Sequence, residues 1–214
     1  VSLAHLGVLF LDELPEFQSS TLEMLRQPLE DRRVTVARAS GTVTFPANFM
    51  LIAAMNPCPC GYFGDPVREC RCGSAQIQRY QKKISGPLLD RIDIHVEAPR
   101  VEYEKLAARR SGETSRDIQE RVTAARVRQA ERLNGTGALT NADMSARDLE
   151  QFVTLDVMGE AMMKNAVTQL SLSPRSYHRI LKLARTIADL EGGIPVAAQH
   201  LAEALQYRPR QIVA

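Results

Sequence analysis

Two short apolar runs, each followed by polar residues, constrain the fold of this chain most strongly. The first covers residues 7–11 and ends at Asp12 and Glu13, and the second covers residues 49–55 and ends at Asn56. Continuous apolar runs of this length are typical of strands that are buried on both faces of a parallel sheet. The sequence therefore predicts an α/β fold in which Asn56 lies beside Asp12 at one edge of the sheet.

The residues between these two runs predict a helix and a hairpin. Ser20 and Glu23 have the spacing of a capping box, and leucines at helical spacing extend the predicted helix to about Leu29. Alternating β-branched residues flank a turn at residues 39–41, which predicts a hairpin with an exposed tip between residues 33 and 45. A third strand is predicted over residues 92–96.

Beyond Pro99 the pattern becomes helical. A charged stretch over residues 101–133 precedes a glycine-rich break at residues 134–137. Helices are then expected near residues 145–153, 156–170, 174–190 and 196–206, and their apolar faces predict a small bundle. We therefore expect two domains: residues 1–133, with a cysteine-rich insert at 58–72, and residues 134–214.

Composition excludes several classes of protein. The chain has 27 Lys and Arg against 25 Asp and Glu, so its net charge of +2 indicates at most a local nucleic-acid surface. No apolar run approaches the roughly 20 residues of a membrane helix, and no signal peptide is recognisable, so a cytoplasmic protein is expected. The chain begins with Val1 and enters a strand almost at once, which leads us to expect a fragment whose beginning lies upstream.

The polar residues at the two predicted strand ends suit nucleotide hydrolysis. An enzyme of that kind needs one carboxylate to hold Mg²⁺ and a second to orient or deprotonate the attacking water, and Asp12 and Glu13 suit these two roles. An amide at Asn56 can hold the water or the γ-phosphate. The alternatives are a solvated turn at Asp12 and Glu13 and a simple turn-forming role for Asn56.

All four cysteines fall within one short window, as two C-x-C pairs: Cys58, Cys60, Cys70 and Cys72. In a cytosolic protein this clustering favours a structural zinc site with four thiolate ligands over disulfides. The C-x-C spacing is tighter than the usual C-x-x-C, and reduced or adventitiously oxidised thiols remain the alternative.

The order and spacing of several motifs resemble one branch of the AAA+ ATPases, the branch of the magnesium chelatases and the replicative MCM helicases. The motifs are Phe10-Leu11-Asp12-Glu13, the hairpin from Arg33 to Phe45, Ala53-Ala54-Met55-Asn56-Pro57, and Leu88-Leu89-Asp90-Arg91-Ile92-Asp93. The cysteine insert makes the chain most similar to the ComM/YifB group of this branch. The resemblance implies a partial P-loop NTPase core followed by a helical lid, a homohexamer, and ATP with Mg²⁺ as cofactors.

The resemblance also implies roles for individual residues. Asp12 and Glu13 correspond to the Walker B pair and Asn56 to sensor 1. Arg91 corresponds to the arginine finger that reaches a neighbouring subunit's nucleotide, and Arg175, at the start of a lid helix, corresponds to sensor 2. For each arginine, a surface ion pair is the alternative.

For the whole protein, the resemblance implies a DNA-translocating motor that performs branch migration in natural transformation and recombination. Arg38, near the hairpin tip, is the first candidate for a phosphate contact, although the tip is equally explained as a solvated turn. Two rival functions are a chelatase-type ATPase subunit that remodels a metal-insertion enzyme and a zinc-stabilised assembly module with a vestigial ATPase. No G-x-x-x-x-G-K-[ST] motif occurs, so we expect the chain by itself to be inactive as an ATPase.

Overall fold

The computed structural model describes residues 1–39, 41–101, 112–193 and 195–208, which form two units that divide between Ile92 and Asp93. The first unit contains four strands, β1 (Val8–Leu11), β2 (Arg33–Arg38), β3 (Gly41–Pro46) and β4 (Met50–Ala53). It also contains four short helices, α1 (Ser19–Glu23), α2 (Arg26–Asp31), α3 (Ser74–Gln81) and α4 (Gly86–Leu89). Both predicted apolar runs therefore form strands, as expected for an α/β fold.

Strands β1 and β4 pair in parallel, with Leu11 opposite Ala53. Backbone hydrogen bonds continue past the strand ends, from Ala54 N to Leu11 O and from Leu14 N to Ala54 O, each at 2.9 Å. One face of this pair packs on a small core, whose buried residues are Leu14, Leu22, Leu25, Ile84 and Leu88. The other face is exposed along both strands, at Val8, Phe10, Met50 and Ile52.

The predicted helix from Ser20 to Leu29 is instead two short helices, α1 and α2, because Pro28 interrupts it. A proline in a helix has no N–H to donate and its ring clashes with the carbonyl four residues earlier. The predicted capping box is also wrong, since α1 begins at Ser19 after the N-cap Gln18 and no side chain caps it. Glu23 instead accepts hydrogen bonds from Arg26 Nη1, at 2.6 Å, and from the Ser85 hydroxyl.

The predicted hairpin is confirmed. Strands β2 and β3 pair antiparallel in a register that places Arg38 opposite Gly41, and the Thr35 and Thr44 hydroxyls hydrogen-bond across the strands at 3.1 Å. Every residue of β3 is exposed. Ser40, in the predicted turn, lies outside the described residues.

The predicted strand over residues 92–96 is wrong, because none of these residues is in a strand. The backbone N–H of His95 donates to the Tyr207 carbonyl at 2.8 Å, and Asp93 forms an ion pair with Arg179 at 2.6 Å. Residues 93–96 thus belong to the second unit, and these two bonds hold them to its helices.

The second unit is helical, as predicted. Its helices are α5 (Ser115–Arg132), α6 (Ala146–Phe152), α7 (Val157–Gln169), α8 (Pro174–Leu190) and α9 (Ala198–Gln206). Thr114 and Asp117 form a capping box at the start of α5, and residues 102–111 of the predicted charged stretch lie outside the described part. The residues of α5 were expected in the first domain, residues 1–133, but α5 lies in the second unit. Among the described helices, none has the length and apolar character needed to cross a membrane.

Candidate functional site

Two carboxylates stand at the carboxyl end of β1. Asp12 and Glu13 are both exposed, and the backbone N–H of Glu13 donates to Asp12 Oδ1 at 2.9 Å. Glu13 adopts a left-handed backbone conformation with φ of 50°, and the next two residues, Leu14 and Pro15, are buried. This sharp turn ends the strand and leaves the two acids in solvent, a strained arrangement of the kind that often marks a functional site.

Asn56 follows β4, the strand that lies directly beside β1, and its side chain is exposed. Tyr80, a buried residue of α3, lies near Asn56, whose backbone opposes the rise of the Tyr80 pKa. The pKa of Tyr80 is raised first by burial and then by the charges of Glu16, Cys58 and Glu13. Glu13 and Asn56 thus both lie near Tyr80, at the edge of the sheet where the two parallel strands end.

The donor set at this edge fits a magnesium-bound nucleotide. Carboxylate and amide oxygens are the hard ligands that Mg²⁺ prefers. The carboxyl ends of parallel strands are also where open α/β sheets bind ligands. The exposure of Asp12, Glu13 and Asn56 leaves these oxygens accessible, so the edge can receive a triphosphate and its metal ion.

Arg91 is held inside the first unit. Its guanidinium donates from Nη2 to Glu30 and from Nη1 to the Pro87 carbonyl at 2.7 Å, and its side chain is only 8% exposed. Arg91 thus forms an ion pair in this structure, but a largely buried one and not the surface pair of the alternative. The sequence does not indicate Glu30 as the partner, because the two residues are 61 positions apart.

The other two predicted arginines are exposed and lie far from each other in sequence. Arg38 ends β2 at the hairpin tip, and Arg175 is the second residue of α8, where Ser173 caps the helix by accepting from Ser176 N at 3.2 Å. Arg38 belongs to the first unit and Arg175 to the second.

The four cysteine sulfurs converge on one point. All four lie within 4.8 Å of one another, and the pairs Cys58–Cys60, Cys58–Cys70 and Cys60–Cys70 are separated by 3.4, 3.7 and 3.6 Å. Four thiolates around a tetrahedral zinc ion, each at about 2.3 Å from it, are about 3.8 Å apart. The cluster therefore has nearly the size that a tetrathiolate zinc site requires.

Local electrostatics favour a thiolate at one cysteine of this cluster, Cys60, while the pKa values of Cys70 and Cys72 are raised. Backbone hydrogen bonds from Tyr62 and Arg71 lower the pKa of the Cys60 thiol to about 6, against the opposing effect of burial. Amide donors that stabilise a thiolate also stabilise it as a metal ligand, since metals bind the deprotonated sulfur. Cys58 is fully buried, which places one ligand on the inner side of the loop.

Comparison with known proteins identifies the class to which this fold and site belong. A family model described as magnesium chelatase, subunit ChlI, matches residues 1–106, and a second, described as the ChlI C-terminal part, matches residues 112–208. The chain belongs to the magnesium-chelatase-like family of AAA+ ATPases. Its fold is accordingly a partial AAA+ core, with a small parallel sheet and flanking helices, followed by a helical C-terminal region.

Within that family, two curated relatives place the chain in the ComM/YifB group. Competence protein ComM from Haemophilus influenzae is 43% identical over 209 residues, which are 97% of this chain and 40% of that protein. Protein YifB from Escherichia coli is 41% identical over the same length and the same share of each protein. The chain thus spans about 40% of the length of the relatives that it matches.

Proposed function

We propose that this chain is the hydrolysing and sensing part of an ATP-driven cytoplasmic motor that assembles as a homohexamer and moves on DNA. One observation carries the ATPase assignment: Asp12, Glu13 and Asn56 follow the ends of two strands that lie side by side in parallel. The phosphate-binding loop would come from an upstream part of a longer protein, since the chain lacks that motif and its relatives are longer.

Each of the three residues has a distinct task in this proposal. Asp12 binds Mg²⁺ directly or through water, Glu13 orients the attacking water and accepts its proton, and the Asn56 amide holds the water or the γ-phosphate. When bound, the metal ion neutralises charge that develops on the phosphate oxygens.

The arginines complete the proposed site in the assembled ring. Arg91 would exchange its ion pair with Glu30 for the nucleotide of the adjacent subunit, where a fixed guanidinium stabilises the transferring phosphoryl group. Arg175, at the start of α8 in the helical unit, would contact the nucleotide and so sense whether nucleotide is bound.

DNA is the proposed track because a relative that is 43% identical is named a competence protein. The exposed hairpin with Arg38 at its tip provides a basic element that six subunits would repeat around a pore. The family description, magnesium chelatase, favours a second candidate, an ATPase subunit that remodels a metal-insertion enzyme. Both functions use the same hydrolytic residues, so the macromolecule on which the ATPase acts must be tested separately.

A second cofactor in this proposal is a structural zinc ion held by the four cysteines. The sulfur separations of 3.4 to 3.7 Å support it. With all four ligands supplied by the protein, such an ion has no open position for catalysis and acts as a cross-link within the loop. Zinc near one mole per mole in protein purified without added metal is expected.

The ATPase proposal is tested by Glu13→Gln in the full-length protein. The variant should bind ATP and lose turnover by about 10²-fold or more, because the amide can no longer accept a proton. Glu16→Gln is the matched control, since Glu16 lies three residues further on and is also exposed. No ATP turnover by the wild type, or turnover that Glu13→Gln leaves unchanged, would indicate that this site is vestigial and would favour an assembly module. The 214-residue chain alone should show no ATP turnover.

Whether the ATPase acts on DNA is tested with the full-length protein and two DNA substrates, one forked and one four-way. A DNA motor should unwind forked or four-way DNA in an ATP-dependent reaction, and Glu13→Gln should abolish this while DNA binding persists. ATP turnover that no DNA stimulates, together with no unwinding of either substrate, would favour the chelatase-type function.

A further inference from the structure

We infer that a metal ion bound by the four cysteines holds Asn56 in place at the end of β4, so that metal occupancy controls the position of this amide. The functional consequence rests on the role proposed above for Asn56 in ATP hydrolysis. The physical claim concerns only the loop, α3 and the end of the sheet, and it can be tested without ATP.

The loop between Asn56 and α3 has almost no apolar core of its own. Cys58 is the one buried residue within residues 57–76, all of which the structure describes. A loop of this length with so little buried surface cannot offset its conformational entropy. Metal ligation supplies the missing free energy in small cysteine-rich segments, because the ligands are brought together only in the folded loop.

The cysteine ligands bracket this loop at both of its ends. Only Pro57 separates Asn56 from Cys58, and only Gly73 separates Cys72 from the start of α3 at Ser74. A metal ion that joins the four sulfurs therefore fixes the chain leaving β4 relative to the chain entering α3.

Helix α3 then returns to the chain beside Asn56. Gln81 Nε2 donates to the carbonyl of Pro57, the next residue, at 3.1 Å. Tyr80 is buried, at 6% exposure, and lies near Asn56, whose backbone opposes the rise of the Tyr80 pKa. The position of α3, which the metal site would set, therefore bears on Asn56.

The loop also passes close to the Asn56 side chain. Gly61 has φ of +82°, and a Cβ added to it would lie 3.9 Å from Cγ of Asn56. The backbone N–H of Gly61 donates to the Cys58 carbonyl at 3.0 Å, which closes the turn around the first two ligands. The Asn56 amide thus lies beside a turn of the metal loop.

The test measures hydrogen exchange of the Asn56 backbone amide in the full-length protein. Metal is removed with a chelator under reducing conditions, and one equivalent of Zn²⁺ is then added back. We expect exchange in the peptide that contains residues 54–56 to become about tenfold slower with Zn²⁺. The β2–β3 hairpin is the internal control, since it carries no ligand and should exchange equally in both states.

Two variants separate the metal site from its effect on Asn56. Cys60→Ser should weaken zinc binding and remove the zinc-dependent slowing. Gln81→Ala should bind zinc normally, because it provides no ligand, yet show less slowing at residues 54–56.

Three outcomes are distinguishable. Slowing that requires Zn²⁺ and Gln81 supports the inference. Stoichiometric zinc binding with unchanged exchange at residues 54–56 overturns it and leaves the structural zinc site standing. Absence of zinc binding overturns both, whereas the ATPase proposal is decided independently by the turnover of Glu13→Gln.

Discussion

Replacement of Asp189 by Asn should destabilise the helical unit strongly. Asp189 lies in α8 and is fully buried. Its two carboxylate oxygens accept from Arg132 Nη1 and Nη2 at 2.7 and 2.6 Å, from Asn141 Nδ2 at 2.8 Å and from Arg185 Nη2 at 3.0 Å. The Asp189 carboxylate thus compensates the positive charges of Arg132 and Arg185. Its hydrogen bonds link α5, α8 and the turn at residues 141–143.

The expected loss is about 3–5 kcal/mol, the range observed when one partner is removed from a buried ion pair. Asparagine keeps the shape but loses the charge, and its NH₂ group turns a donor toward arginine donors. The two guanidinium groups then repel each other with no buried anion between them. Because whole domains are stable by only about 5–15 kcal/mol, this is a large fraction of the total.

The pH dependence of the free energy of unfolding provides a second test of this prediction. Burial raises the pKa of Asp189, but hydrogen bonds from Arg132 and Asn141 and the charge of Arg185 outweigh it and hold the pKa below its usual value. The carboxylate therefore stabilises the fold fully above the unfolded pKa of about 4, and this contribution is lost as pH falls further through the folded pKa. The difference between wild type and Asp189→Asn should shrink over that window.

Urea unfolding of the chain, followed by helical circular dichroism at neutral pH and at pH 3, measures both effects. Glu131→Gln is the control, because Glu131 neighbours Arg132 on α5 but is exposed, and it should change stability by less than about 0.5 kcal/mol. A loss below about 1 kcal/mol for Asp189→Asn would refute the reasoning. So would an equal loss at both pH values.

Three further predictions follow from individual contacts. Arg38→Ala should weaken DNA binding by the full-length protein and reduce the salt dependence of the affinity by about one phosphate contact per bound hairpin, measured by titration at several salt concentrations. Gly159→Ala should destabilise the helical unit by about 1–3 kcal/mol in urea, because the new Cβ would lie 3.1 Å from Leu201 Cδ1 and from Asp156 Oδ1. Thr114→Ala should cost about 1 kcal/mol in the same assay, since it removes the N-cap of α5.

The sequence predicted those features that depend on residue order and local pattern. Continuous apolar runs identified β1 and β4, whose parallel pairing brings the strand ends that precede Asp12 and Asn56 to the same edge. The hairpin and the four helices after residue 140 were likewise predicted, because alternation and helical spacing reflect which side of each element is buried. The clustering of the cysteines was visible from their spacing, and the structure brings their sulfurs together.

Features that depend on distant partners were not predictable. The charged stretch that contains α5 gave no sign that Arg132 reaches the buried Asp189. Ser20 and Glu23 match a capping box, but Glu23 bonds Ser85, which is 62 positions away. A residue pattern along one segment contains no information about which residues a later segment brings beside it.

Arg91 shows how this distinction bears on function. The motif around it predicts a cation poised for a phosphate, while the structure places the guanidinium against Glu30 with little exposure to solvent. An arginine desolvated beside Glu30 loses that ion pair if it moves, so its transfer to a nucleotide requires a stronger negative charge at the new position. A triphosphate in an adjacent subunit provides such a charge, whereas the diphosphate left after hydrolysis provides less. Within the proposed ring, the Glu30 pair would therefore return Arg91 to its own subunit once the γ-phosphate has gone.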